Sequence, residues 1–203
     1  MQTLTTHPFT VQALASPLHP TMPVDKAWFT ELTALYTEQN KPVPQVIDRI
    51  FYDGNNIVVL WIPVSAKAID KSPQKKGWHI SCVQYHLHET GEEIAYAKAI
   101  YATEESIAST DENNTAKITS PVVDFSKVSD AFRGQGIAPS MYVYLARKLA
   151  EHGMTLRESG CQSEEAGAMW KRMKHDPLLP ISVINDKYVL DFRSNSNTGG
   201  YLP

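Results

Sequence analysis

The alternation of apolar and polar positions predicts one helix, two hairpins, a long strand, two further helices and a closing hairpin. Trp28, Leu32, Leu35 and Tyr36 recur at helical spacing, with Asp25 as N-cap and Pro42 and Pro44 ending the run. Strand-like runs at 46–52 and 57–62 flank Asp53-Gly54-Asn55-Asn56, a hairpin signal. A second hairpin is expected from 78–87 and 93–101, turning around Glu89-Thr90-Gly91. Between the hairpins, Lys67 to Lys76 reads as a solvated lysine-rich loop. Residues 104–116 are polar, acidic and aperiodic, so a loop is expected there too.

A strand from 117 to about 128 precedes the clearest helix, 139–152. Met141, Leu145 and Leu149 share one face of it, Pro139 suits its first turn and Gly153 its stop. A strand at 154–159, a helix at 163–174 and a hairpin of 181–184 with 188–192 complete the pattern, the last turning at Asn185-Asp186. The sum is an α+β domain with a mostly antiparallel sheet. Pro8, Pro17, Pro20 and Pro23 predict an extended segment over 1–24, leaving a single domain at 25–192 and a flexible tail at 193–203.

Composition narrows the function only a little. With 42% hydrophobic and 20% charged residues the chain is ordinary globular protein, and no apolar run approaches a membrane span. The first twenty residues lack the marks of a secretory signal, so a cytoplasmic setting is expected. A net charge of −3 argues against a broad nucleic-acid surface. Cys82 and Cys161 form neither a metal-ligand spacing nor a disulfide framework. His86 and His88, two apart on a predicted strand, would face one side, but no neighbouring cluster completes a metal site and none is expected. A proton-shuttling role suits them better. Glu92 and Glu93 read as solvated residues beside the turn.

The informative segment is Val128-Ser129-Asp130-Ala131-Phe132-Arg133-Gly134-Gln135-Gly136-Ile137-Ala138-Pro139. A strand runs into a glycine-bearing turn that opens directly into an amphipathic helix. Glycines let main-chain N–H groups converge without Cβ obstruction, and a helix start adds unpaired donors and partial positive charge. Together these make an anion site suited to a phosphate or pyrophosphate, with Arg133 as a charged donor. A P-loop would need Lys and Ser or Thr where Ile137, Ala138 and Pro139 stand. A dinucleotide fingerprint would need glycine at position 139 and a parallel βαβ unit.

The segment resembles the coenzyme A loop of the GNAT N-acetyltransferase superfamily. Arg133, Gly136 and Ala138 fill its three defining slots, with Val128 and Phe132 at its apolar and aromatic positions. A second motif follows at the right distance, where Ser163, Ala166 and Trp170 stand at the spacing of the family's Asn, Ala and Tyr. The close resemblance covers about 118–173 and a looser one 78–192; the N-terminal third fits badly. The compact helix pair and long polar loop also look similar to virus-borne members.

The resemblance implies a GNAT fold, a mostly antiparallel sheet flanked by helices, in which the strand before the loop parts from its neighbour to admit acetyl-CoA. Main chain near Ser126 and Val128 would bind the pantetheine arm, and Arg133, Gly134, Gln135, Gly136, Ile137 and Ala138 the pyrophosphate, with Ser163 beside them. A main-chain N–H on the splayed strand would polarise the thioester carbonyl for direct attack by an amine. The acceptor could be a small molecule, a protein or a modified base, and a homodimer is compatible with the reading. Two departures stand out. The usual general-base position is Val122, which leaves Asp124 as the candidate, and Trp170 replaces the acid Tyr, although an indole has no usable acid pKa. Ser159, ending a strand toward the cleft, is a further candidate for contact with acceptor or water. These departures sustain a rival expectation, a GNAT-shaped interaction protein that keeps the fold, with or without coenzyme A binding, and works by contacting a partner.

Overall fold

The structure, a computed structural model, describes residues 8–15, 23–64, 78–102 and 121–193. The lysine-rich stretch, the 104–116 segment and the tail beyond Arg193 lie outside the described residues. Helices α1 (Pro8–Ala15) and α2 (Ala27–Glu38) precede strands β1 (Gln45–Tyr52), β2 (Asn55–Val64), β3 (Trp78–Leu87), β4 (Glu93–Ala102) and β5 (Val122–Val128). Then come α3 (Ile137–Ala150), β6 (Leu156–Arg157), α4 (Glu164–Lys174), β7 (Ile181–Ile184) and β8 (Lys187–Leu190). Among the described residues the strands form an eight-stranded sheet in the order β1-β2-β3-β4-β5-β6-β8-β7. Every neighbouring pair is antiparallel except β5 with β6. This α+β architecture, a mostly antiparallel sheet flanked by helices, is the one the sequence and its resemblance imply.

Burial on both faces explains the unbroken apolar run of β2. Ile57, Val59 and Trp61 join the main core with α1 and α3, while Val58 and Leu60 turn to the opposite face and pack against Trp28, Phe29 and Leu32 of α2. Helix α3 is buried along most of its length and on most of its faces.

Four expectations need correction. Residues Pro8–Ala15 form a helix where an extended segment was expected. Pro8 opens it, at a position where a missing N–H removes no intrahelical bond. Phe9 and Ala13 are fully buried, and the Arg147 guanidinium on α3 donates to the Ala13 carbonyl. The N-cap of α2 is Lys26 rather than Asp25, and no side chain caps that end. Strand β6 spans two residues rather than six, because only Leu156 and Arg157 pair with β8. His88 lies in the turn after β3, not on the strand, so the two histidines do not share a strand face.

The β3–β4 turn shows how tightly α2 is seated. Gly91 has a φ of 74°, and a Cβ there would stand 2.5 Å from Cγ of Trp28. Trp28 stacks on the His86 ring at 5.4 Å and donates its indole N–H to the His88 carbonyl at 2.9 Å. Burial lowers the His86 pKa, opposed by its hydrogen bond with the Gly91 carbonyl. Gly91→Ala is therefore expected to cost about 2–4 kcal/mol, from backbone strain plus displacement of Trp28. A denaturant midpoint that moved less than this implies would show that α2 is not braced there.

Candidate functional site

The site begins with a parting of strands. β5 meets β6 at one register pair, Val122 with Arg157, reinforced by the Arg157 N–H donating to the Pro121 carbonyl at 2.8 Å. Beyond Val122, β5 continues to Val128 beside β4 alone among the described residues, and none of these pairs with its other edge. A bulge marks the transition: Phe125 pairs with Lys98 and Val123 with Ala99, leaving Asp124 over. The bulge changes which groups face the open edge. Ser129 donates its N–H to Ile94 of β4 at 2.8 Å, so by alternation the main-chain groups of Val128 and Ser126 turn away from β4.

The loop that follows is set by two left-handed glycines. Asp130–Phe132 makes a 3-10 turn, Gly134 has φ 76° and Gly136, the N-cap of α3, has φ 87°. Chain reversal through these residues leaves the N–H groups of Gly134, Gln135, Gly136, Ile137 and Ala138 without a hydrogen bond among the described residues. Pro139 has no N–H, and Ser140 makes the first helical bond, to the Gly136 carbonyl at 3.2 Å. The Gln135 amide donates to the Ala131 carbonyl at 3.3 Å and braces the turn from within, while its Oε1 is buried without a partner among the described residues.

Loop and open strand border one cavity of about 1120 Å³. Ser126, Val128, Arg133, Gly134, Gly136, Ile137 and Ala138 all line it, as does Ser163 from the N-terminus of α4. Eight residues, named from sequence for one ligand, thus meet in one cleft. Ser163 accepts from the Ala166 N–H at 3.3 Å, so its hydroxyl caps α4 at the cleft wall. Ser126 shares a hydrogen bond with the Tyr142 hydroxyl at 2.9 Å, which ties β5 to α3. Burial raises the Tyr142 phenol pKa, offset in part by that bond.

The charges at the rim are mixed. Arg133 is well exposed, pairs with Asp130 at 3.0 Å and places its Nε 3.4 Å from the Val128 carbonyl. Glu165 is held below the usual carboxylate range by its own main-chain N–H, by Ser163 and by the field of Arg133. Arg172 adds a cationic group from α4.

The residues expected to do chemistry lie elsewhere. Asp124 sits at the bulge with its carboxylate 2.8 Å from the Lys98 ammonium, on the sheet face opposite α3. Ser159 accepts from the Cys161 N–H at 3.2 Å and shapes the turn before α4. Trp170 is 1% exposed, packed against Tyr142 at 5.4 Å and stacked on Tyr188 at 6.4 Å. None of the three lines the cavity. His86 and His88 take separate partners, Gly91 and Gln84 for the first and Glu89 for the second. Among the described residues no three His, Cys, Asp or Glu stand together as a metal cluster.

Sequence reasoning missed two walls of the cleft. Thr10 reaches it from α1, which the prolines disguise, and Met169 and Met173 reach it from α4. The methionines were findable, since 166, 169 and 173 fall on one helical face.

The fold and cleft define an α+β domain in which main-chain N–H groups left unbonded among the described residues border a cavity at a split in its sheet. No family model and no curated protein matches the chain. Among solved structures it is similar to two mutants of a cAMP-binding acyltransferase from Mycobacterium smegmatis. One aligns over 82% of this chain and 54% of its own, at 15% identity and a TM-score of 0.42. The other aligns over 86% and 54%, at 13% identity and a TM-score of 0.38. The chain spans about half the length of these structures.

Proposed function

We propose that this chain is an acyltransferase of the GNAT type that binds an acyl-CoA, with acetyl-CoA as donor, and passes the acyl group to an amine. The observation that carries this reading is the run of main-chain N–H groups from Gly134 to Ala138, unbonded among the described residues, beside a cavity of about 1120 Å³. A diphosphate needs convergent donors, and a helix start preceded by two left-handed glycines supplies them without a metal. The residues present fit such a donor: the loop would hold the pyrophosphate, and Ser126 and Val128 would offer main-chain partners to an amide-bearing arm. The thioester would supply the activated acyl carbon. A main-chain N–H of β5 near the bulge would stabilise developing negative charge on its oxygen.

The chain's remaining contribution is position. An acceptor held against the split in its neutral form would attack the acyl carbon directly. As the carbon–nitrogen bond forms the carbon–sulfur bond breaks, coenzyme A leaves as thiolate and takes a proton from water, and the proton the amine loses passes to water. Val122 takes no proton, and Asp124 is engaged by Lys98, so the rate is expected to rise with pH as more acceptor becomes neutral. A cytoplasmic setting is supported by the free thiols of Cys82 and Cys161, and no described helix is long and apolar enough to cross a membrane.

A second reading is favoured by one observation: Asp124, Ser159 and Trp170 all lie off the cavity. On it the chain keeps the cleft and works by contacting a partner. Calorimetry with acetyl-CoA, followed by thiol release across a panel of amines, separates the two. Binding with amine-dependent thiol release is expected. Binding without release above background hydrolysis would favour the interaction protein, and no binding would remove the acyltransferase reading.

A further inference from the structure

At the vertex of the split lies a cation without a counter-charge among the described residues. Arg157 pairs with Val122 across the parallel rung, Val122 with Ile100, and Ile100 with Ile80, so register sets the four in one row across the sheet. That row shares a face with Cys82 and Lys98, the face opposite α3, as the neighbouring core residues Val123 and Leu156 confirm by turning toward α3. The cleft described above lies on the other side, where Ser126 bonds to Tyr142 of α3. The split between β5 and β6 is where the two faces communicate.

Arg157 makes no side-chain hydrogen bond or ion pair among the described residues, and its Nε is buried without a partner. The nearby charges are spoken for. Lys98 and Asp124 neutralise each other at 2.8 Å, and Glu158 turns its carboxylate to the Tyr188 N–H at 3.0 Å and the Gln162 amide at 2.9 Å. A guanidinium with a desolvated donor is costly unless something accepts from it. Its planar fork of donors matches the paired oxygens of a carboxylate or a phosphate.

We propose that Arg157 binds an oxyanion carried by the acyl acceptor, so that the acceptor is an amine bearing a carboxylate or a phosphate and docks on the sheet face opposite α3. This rests on the acyltransferase reading for the acceptor's role, but not for anion binding itself. With the coenzyme arm on one face and the acceptor anchored on the other, the amine reaches the acyl carbon through the split from the side the donor leaves open. Arg157 orients; it takes no proton.

Three amines with a common two-carbon spacer test the idea: ethanolamine, β-alanine and O-phosphoethanolamine. The Arg157 Nε–H signal in a proton–nitrogen NMR spectrum gives a readout independent of turnover, assigned by its loss in Arg157→Gln. Saturable movement of that signal with β-alanine or O-phosphoethanolamine, but not with ethanolamine, is expected. The anion that moves it decides between carboxylate and phosphate. Arg157→Gln is expected to raise the KM of the responsive amine about tenfold or more, leaving ethanolamine and acetyl-CoA within about twofold. Arg157→Lys should recover only part of the loss. The proposal is overturned if neither anionic amine moves the signal saturably, with or without coenzyme A. It is equally overturned if Arg157→Gln weakens all three amines alike. Anion binding at Arg157 without thiol release from any acyl donor would leave this site standing and remove the acyltransferase reading.

Discussion

Gly136→Val is expected to weaken coenzyme binding about a hundredfold or more while the domain still folds. Gly136 stands at φ 87° as the N-cap of α3, a conformation that a β-branched residue reaches only with strain of about 1–3 kcal/mol. The position is also buried in the cleft wall, among the N–H groups that the proposed reading aims at one ligand. Relieving the strain by rotating the peptide turns those donors apart, and a Cβ intrudes where a phosphate needs close approach. Strain and ligand loss are separable by a control. Gly153, just past the far end of α3, has φ 73°, and a Cβ added there would meet nothing within 4 Å. Gly153→Val should therefore carry a similar strain and leave coenzyme affinity untouched. Calorimetry on the two variants, with circular dichroism to verify folding, gives the comparison. Retained binding in Gly136→Val would show that the anion cradle is elsewhere.

Trp170→Ala carries the largest expected loss of stability, about 3–5 kcal/mol. The indole is fully buried between Tyr142 of α3 and Tyr188 of β8, so its removal opens a void where three elements meet. For a chain of this size that corresponds to a melting temperature lower by on the order of ten degrees. Helix α4 would loosen with it, carrying Ser163 and Met169 away from the cleft. Trp170→Phe distinguishes packing from chemistry. Phenylalanine keeps the ring against both tyrosines and removes the only polar hydrogen, so thiol release should stay within about threefold of the parent. A fall of a hundredfold with unchanged coenzyme affinity would return Trp170 to the reaction, despite its burial.

How much of this is legible in the sequence depends on how local the determinants are. The glycine loop is readable because its geometry is dictated by residues in sequence: two glycines able to take positive φ, a proline at the third position of the helix, and a helix behind them. The run Ile181–Ile184, the span Trp78–Leu87 and the Ser163 cap of α4 are likewise set by near neighbours. Helix α1 is not. Pro8 looks like a breaker until one sees that it opens the helix, and what holds that helix is distant in sequence: Arg147 at its last turn and the Tyr52 and Tyr85 rings against Phe9. The two-residue length of β6 is equally hidden, since apolar Met154 and Leu156 alternate with Thr155 as in a longer strand while pairing depends on β8. Asp124 stands out only when one counts along a regular strand. The bulge puts that residue out of step, and its carboxylate answers to Lys98 on the neighbouring strand, a relation no spacing reveals.

The single rung between Val122 and Arg157 has a thermodynamic corollary. Strands β1 to β5 form one plate and β6, β8 and β7 another, and the ladder joining them is one residue long. Side-chain packing through α3 and Trp170 must supply the cohesion that main-chain pairing elsewhere provides. A molecule filling the gap acts as a fastener between the plates, so occupancy and mechanical integrity rise together. At a hundredfold excess over its dissociation constant, such a fastener adds about 2.7 kcal/mol to the folded state.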